Sequence, residues 1–181
     1  VTQDNYPALA LRLHHQGVAT VELTVDTQGQ LANCRIAIST GWQELDDATC
    51  AMIRARARYA PARDDAGQPL AYVYRLRFRW VLPGSQPPTL PPDTELDLNV
   101  AAFPKDMVRP IAGLTFIVAP DGKIESCSVP ERQSSGSPAL DKAGCAAMSK
   151  SETFQPALDG DGRPMRFMRV QQVGFTIDRP K

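Results

Sequence analysis

The chain has no net charge, because twenty lysines and arginines balance twenty aspartates and glutamates among 181 residues. No overall field draws it onto nucleic acid or an anionic membrane, and nucleic-acid binding is not expected. It has no apolar run near the roughly 18 to 20 residues that span a bilayer, and Val1 opens it without a charged-then-apolar signal segment. These absences predict a soluble piece, already processed or cut from a longer chain. Cysteine is scarce: there are four residues and no Cys-x-x-Cys pair. That argues against a thiol oxidoreductase, which needs an exposed low-pKa thiolate, and against zinc. His14 and His15 adjoin on a predicted helix, where neighbouring side chains point about 100° apart, so they suit exposed positions better than one metal. No Ser/His/Asp or Cys/His set falls in an identifiable motif, and no glycine pattern would cradle a phosphate. Asp46-Asp47 and Asp64-Asp65 fit a helix's first turn and a turn, respectively. We therefore expect no catalytic residues, no metal and no cofactor.

What is present is a hydrophobic fraction of 43%, enough for packed cores, and an internal repeat. VDTQGQLANC (25–34) lies over VAPDGKIESC (118–127), so that Gly29 matches Gly122. After a short insertion in the second copy, ELDDATCAMI lies over ALDKAGCAAM, and RYAPARDDAGQP lies over TFQPALDGDGRP, as far as Pro69 and Pro164. Upstream, NYPALALRLHHQGVATVELTV pairs with AFPKDMVRPIAGLTFIV if about one helical turn is dropped from the second copy.

Each copy can be read by its period. Ala19, Val21, Leu23 and Val25 alternate with polar residues, the pattern of a half-buried strand, and Gly29 supplies a hairpin turn. Leu114, Phe116 and Val118 repeat the strand. The next strand puts Cys34, Ile36 and Ile38 on one side, facing the same core. After Gly41, the spacing of Leu45, Ala48, Thr49, Met52, Ala55 and Tyr59 fits one face of a helix with Cys50 on its flank, ended by Pro61. A core-facing strand residue and a residue on the covering helix approach within bridging distance, which predicts disulfides Cys34–Cys50 and Cys127–Cys145. Among the three pairings of four cysteines, this one respects the repeat. It implies an oxidising compartment; the competing reading is four reduced, buried thiols.

LAYVYRLRFRWVL closes the first copy as a strand. Tyr72, Tyr74, Leu76, Phe78 and Trp80 share its packed face; Val73, Arg75, Arg77 and Arg79 share the other, which is expected to be wet. In the second copy the matching RFMRVQQVGFTI offers Phe167, Arg169, Gln171, Val173, Phe175 and Ile177 to the core, and a bulge at Gln171-Gln172 would rescue the pattern. Between the copies, Pro83, Pro87, Pro88, Pro91 and Pro92 favour an extended semi-rigid spacer. Residues 93–100, Asp93-Thr94-Glu95-Leu96-Asp97-Leu98-Asn99-Val100, alternate polar and apolar. Three readings stay open for them: an added strand on a sheet edge of either copy, self-occupation of the strand edge that would otherwise take a partner strand, or plain linker.

Taken in order, the first copy presents Tyr6-Pro7 before a helix, the Gly29-Gln30-Leu31 hairpin, Ser39-Thr40-Gly41, Leu45-Asp46, and Arg58-Tyr59-Ala60-Pro61-Ala62 before a long strand. The second answers with Phe103-Pro104, Asp121-Gly122-Lys123-Ile124, Ser134-Ser135-Gly136, Leu140-Asp141 and Phe154-Gln155-Pro156-Ala157. This set resembles the carboxy-terminal domain of TonB-family energy transducers. The resemblance implies an α+β fold of two tandem TonB C-terminal-like domains, each a small antiparallel three-stranded sheet packed with two helices. The domains would be residues 1–82 and 103–181, joined by a proline-rich linker, 83–102, with room for a short strand.

The resemblance also implies a periplasmic protein of a Gram-negative cell. It would pair the extended TonB box of a TonB-dependent outer-membrane transporter to its last strand's edge, as part of energised uptake. An edge strand offers unpaired backbone groups that a partner strand completes. The expected peptide-binding residues are Tyr72, Val73, Tyr74, Arg75, Leu76, Arg77, Phe78 and Arg79, with acidic-then-apolar peptides preferred. Transducers of this family carry a membrane helix and a long proline-rich spacer before the domain. An inner-membrane anchor and contacts to inner-membrane motor proteins would thus come from a segment absent from this chain. The alternative is a non-transducing periplasmic scaffolding or dimerisation protein, for which a homodimer is an option.

Overall fold

The computed structural model describes residues 5–64, 66–91, 94–151 and 154–177; Asp65, Pro92, Asp93 and Thr153 of the motifs above lie outside them. The fold is α+β. It divides into two compact units, Val1–Pro91 with Leu158–Arg163, and Pro92–Ala157 with Pro164–Lys181.

The first unit contains α1 (Ala8–Leu13), β1 (Gly17–Val25), β2 (Leu31–Ile38), α2 (Gln43–Arg56), β3 (Ala62–Arg63) and β4 (Pro69–Trp80). Its strands run β2-β1-β4, all antiparallel, with β3 added on β4. Ala19, Val21, Leu23 and Val25 of β1 are fully buried, as the period predicts, but Thr20 and Thr24 between them are buried too, so the strand is not half-buried as expected. Ala19, Val21 and Leu23 pack with Cys34, Cys50 and Ile53 beneath α2. A second cluster joins Tyr6 and Ala10, at and near the start of α1, to Leu45, Trp80 and Leu82. Within it, Tyr6 meets Trp80 edge-on at 5.1 Å, and Trp80 Nε1 donates to Thr49 Oγ1 at 2.8 Å. That bond satisfies both polar groups where water cannot reach.

Three further sequence expectations fail in this unit. Ile38, expected to face the core with Cys34 and Ile36, is 53% exposed at the end of β2. Helix α2 stops at Arg56, with Ala57 already extended, well before Pro61. The extended exit brings the Tyr59 carbonyl to the β1–β2 turn, where a Cβ on Gly29 (φ +79°) would sit 2.5 Å from it. Ile53, not Ala55 or Tyr59, therefore completes the buried face. Nor does α1 reach the histidines: it ends at Leu13, His14 is the left-handed cap at φ 57°, and His15 lies beyond. There His15 stacks on Trp42 at 3.5 Å, and its Nδ1 is 2.5 Å from Glu44 Oε1.

The second unit contains β5 (Leu96–Asn99), β6 (Ile111–Val118), β7 (Ile124–Ser128), α3 (Pro138–Ser151) and β10 (Phe167–Thr176); β8 (Ala157–Leu158) and β9 (Pro164–Met165) flank the turn after α3. The order β7-β6-β10 is antiparallel, while β5 pairs parallel to β10. Leu114, Phe116, Val118, Met148, Phe167 and Val173 are fully buried.

The expectation of small three-stranded antiparallel sheets therefore fails: each unit contributes more than three strands, and β5 adds a parallel pairing in the second. Among the described residues, the second unit also has no counterpart of α1. Residues 101–110 form turns, and one short 3-10 helix, Glu131–Gln133, is added elsewhere. The bulge at Gln171-Gln172 does not occur, because β10 stays in register with β6 from Phe167 to Gly174. The polar side chains go inside instead, while Ile177, expected to face the core, is 41% exposed. Arg169 and Gln171 are buried, and the Arg169 guanidinium lies 5.2 Å above the Phe154 ring, a favourable cation–π placement.

Both units repeat the same local devices. Asp46 accepts from Ser39 Oγ (2.5 Å), Thr40 N (2.9 Å) and Thr40 Oγ1 (2.9 Å). Asp141 accepts from Ser134 Oγ (2.5 Å), Ser135 N (2.9 Å) and Ser135 Oγ (2.7 Å). The paired motifs hence bind each loop to the first turn of its helix, where a carboxylate also complements the helix dipole. Cys34–Cys50 and Cys127–Cys145 are both disulfides, each with Cα atoms 5.8 Å apart.

Candidate functional site

Residues 72–79 all lie in β4, where β1 pairs along them from Arg79 opposite Val18 to Tyr72 opposite Val25. On the helix side, Tyr72 and Tyr74 stack at 5.6 Å, with Tyr59 edge-on to both. Burial raises the pKa of the Tyr74 hydroxyl well above its ordinary value, with the hydrogen bond to Tyr59 adding to it, and burial also raises that of Tyr72. Leu76 is 39% exposed; with Phe78, Met52, Ile53, Arg56 and Tyr59 it lines an open apolar groove of about 490 Å³.

The opposite face is not uniformly wet, contrary to the sequence reading. Val73 is buried at 4% exposure, and Arg77 and Arg79 are half-buried. Glu22 faces Arg35 across one ladder and Arg75 across the other, at 2.6 Å and 3.4 Å. Arg77 donates to the Pro91 carbonyl at 2.7 Å. Three of the four stripe residues are therefore engaged by their own unit or buried.

The second unit shows how a last strand holds an extended segment. Leu96, Asp97, Leu98 and Asn99 lie opposite Val173, Gly174, Phe175 and Thr176. Glu95 N donates to Gln172 O at 2.9 Å, and Val100 N to Thr176 O at 2.8 Å. The Glu95 carboxylate accepts the Gln172 backbone N–H at 2.7 Å, and Thr176 Oγ1 donates to Asn99 Oδ1 at 2.6 Å. A Cβ on Gly174 would collide with the Asp97 carboxylate and lie 3.0 Å from Thr94 Cγ2. Of the three readings left open for residues 93–100, the strand at 96–99 on the β10 edge removes plain linker; Asp93 lies outside the described residues. The sequence reading gave no role to Glu95 or Gly174, although a glycine inside a strand does signal a close approach.

Among the described residues, no group of three or more His, Cys, Asp or Glu is placed to hold a metal ion, and no helix is long and apolar enough to cross a membrane. Fold and site together define a twice-built α+β module, closed by a disulfide in each copy, whose last strand can carry an added extended segment. The family model described as the Gram-negative bacterial TonB protein C-terminal matches residues 2–82 and 112–177. The chain belongs to this family, as two tandem TonB C-terminal-like segments, which gives it a TonB-like role in the Gram-negative envelope. The family points in general to interaction with outer-membrane transporters. Comparison with curated proteins and with solved structures returns no match.

Proposed function

We propose that the chain is a periplasmic receptor-reading module that acts by binding rather than catalysis, capturing the extended TonB box of an outer-membrane transporter by β-strand pairing. The observation that carries this reading is the seat of β5 on β10. An acidic-then-apolar segment is held there by main-chain bonds, with leucines opposite Val173 and Phe175. Backbone pairing of this kind supplies affinity, and alternate side chains supply selection. The domain boundaries at 1–82 and 103–181, the contribution of residues 72–79 in β4, and any coupling to an inner-membrane motor belong to the same proposal.

Backbone-methylated peptides test it directly. A labelled acidic-Thr-apolar transporter peptide is titrated against the chain, alongside versions N-methylated at successive positions. Strand pairing predicts an alternating pattern: methylation of inward-facing amides weakens binding by about tenfold or more, the loss of one buried hydrogen bond plus a clash, and methylation of outward-facing amides changes it little. A flat response along the peptide would refute pairing.

A further inference from the structure

We infer that the β10 edge at residues 172–176 is a peptide site whose tethered, displaceable occupant is the chain's own segment 94–100, which keeps the second unit closed until a competing strand enters. The inference rests on the strand-pairing reading above and adds the site's resident occupant, its register and the determinants of the ligand that displaces it.

Three observations carry it. First, β5 is joined to its unit through β10 alone among the strand pairings described. It is four residues long, Asp97 and Asn99 are exposed, and Leu96 and Leu98 are only half-buried. So short a strand, with no fully buried side chain, belongs at the low-stability end of local openings. Second, one contact uses a side chain in place of the ladder. Gln172 presents its N–H, and the Glu95 carboxylate takes it, so this edge reads an acidic residue at the head of the incoming strand. Charge-assisted bonds of this type are the stronger ones. Third, Gly174 opens the space that the Asp97 carboxylate occupies. By the repeat, the equivalent position of β4 is Arg79, which has no such opening, so the two copies are not interchangeable at this position.

The ligand class follows from that lining. It is an extended peptide running parallel to β10, with a carboxylate side chain opposite Gln172 and aliphatic residues opposite Val173 and Phe175. Cross-strand aliphatic pairs would extend the core edge as Leu96 and Leu98 do. A segment tethered by a short linker competes at an effective concentration of order millimolar, so only a well-matched or abundant strand displaces it.

The test uses the full chain, with residues 94–100 replaced by a Gly/Ser stretch of equal length, and fluorescein-labelled TELDLNV as the probe. The opened chain is expected to bind the probe at least about tenfold tighter than the parent. Gly174→Val in the opened chain should abolish binding, and a probe with glutamine in place of its glutamate should bind several-fold more weakly. The otherwise intact Leu96→Asp/Leu98→Asp chain releases the segment without altering the linker and carries the same readout if the Gly/Ser chain misfolds. Failure of both folded versions to take up the probe overturns the inference, as does undiminished binding in the Gly174→Val chain. Transporter peptides separate the two readings. If the opened chain takes TELDLNV but no transporter peptide, the transporter reading fails alone; if parent and opened chains take transporter peptides equally well, self-occupation fails alone.

Discussion

At the residue scale, the first unit places a hydrogen-bonded histidine–carboxylate contact where the sequence predicted only two exposed histidines on a helix. His15 is held by its stack on Trp42 and by Glu44 in the first turn of α2, while the Tyr6 hydroxyl donates to the His15 carbonyl at 2.6 Å. The hydrogen bond from His15 lowers the Glu44 carboxyl below its ordinary pKa, with a backbone bond adding to it. A lowered acid pKa contributes stability above the ordinary carboxylate range, and that contribution disappears as pH falls through the lowered value. The Glu44→Gln variant should therefore be less stable than the parent at neutral pH and converge with it in acid. Urea midpoints measured across the acid limb check this; a constant gap at all pH values would show that the Glu44 charge contributes nothing. The glycines were more legible than the histidines. Gly29 and Gly122 stand at matched positions in a turn pattern, and both turns need a positive φ and a close carbonyl, from Tyr59 and Phe154 respectively. Where His15 goes depends on α1 ending at Leu13, and boundaries of short helices are weakly encoded.

At the scale of elements, the strand–hairpin–strand–helix unit and its disulfides could be read because several signals agree. Period-two burial, a turn glycine, period-3.6 spacing and a matched cysteine pair leave one arrangement for each copy. Other elements carried weaker signals. Phe103-Pro104 looks like the helix start Tyr6-Pro7, but the segment before Pro110 is too short to repay helix nucleation. The parallel partner of residues 96–99 was not legible either, since alternation over four residues names no neighbour. Buried Arg169 and Gln171 broke the alternation of β10, and a bulge was the ordinary remedy; the register with β6 shows that the core accepts them instead. The disulfides give an element-level prediction. They close separations of 16 and 18 residues, so loop entropy assigns each about 3 kcal/mol with little difference between them. They staple different units and share no partner, so their effects should add. Cys34→Ala/Cys50→Ala and Cys127→Ala/Cys145→Ala chains should each lose roughly 2 to 4 kcal/mol in urea unfolding, and the quadruple variant the sum. Loss from only one pair, or a strongly non-additive sum, would show that the two staples are not equivalent.

At the scale of the whole molecule, the two copies have diverged in how each finishes its last strand. In the first, α1 brings Tyr6 onto Trp80, and Glu22 takes up Arg35 and Arg75. In the second, the aligned Phe103 is 39% exposed, no helix follows it, and β5 lies opposite Phe175, the counterpart of Trp80. One segment is thus finished by a helix and the other by a strand of its own chain, and a strand held by main-chain bonds is the easier of the two to exchange. The chain has no net charge, and the strand seat uses backbone bonds, two leucines and one carboxylate-to-amide contact. Recognition should accordingly depend on pairing rather than on a charged field, because exposed charges lose their influence once salt shortens the screening length to a few ångströms. The affinity of the opened chain for TELDLNV should fall by less than about threefold between dilute and molar sodium chloride, since long-range attraction between exposed charges is the part that salt removes. Docking of the acidic peptide on the arginine side chains of β4 would instead produce a steep fall with a slope that grows with each charge engaged. Titrations over that salt range, repeated with Arg75→Gln and Arg79→Gln chains, distinguish the two: strand pairing at β10 requires a shallow slope that neither substitution changes.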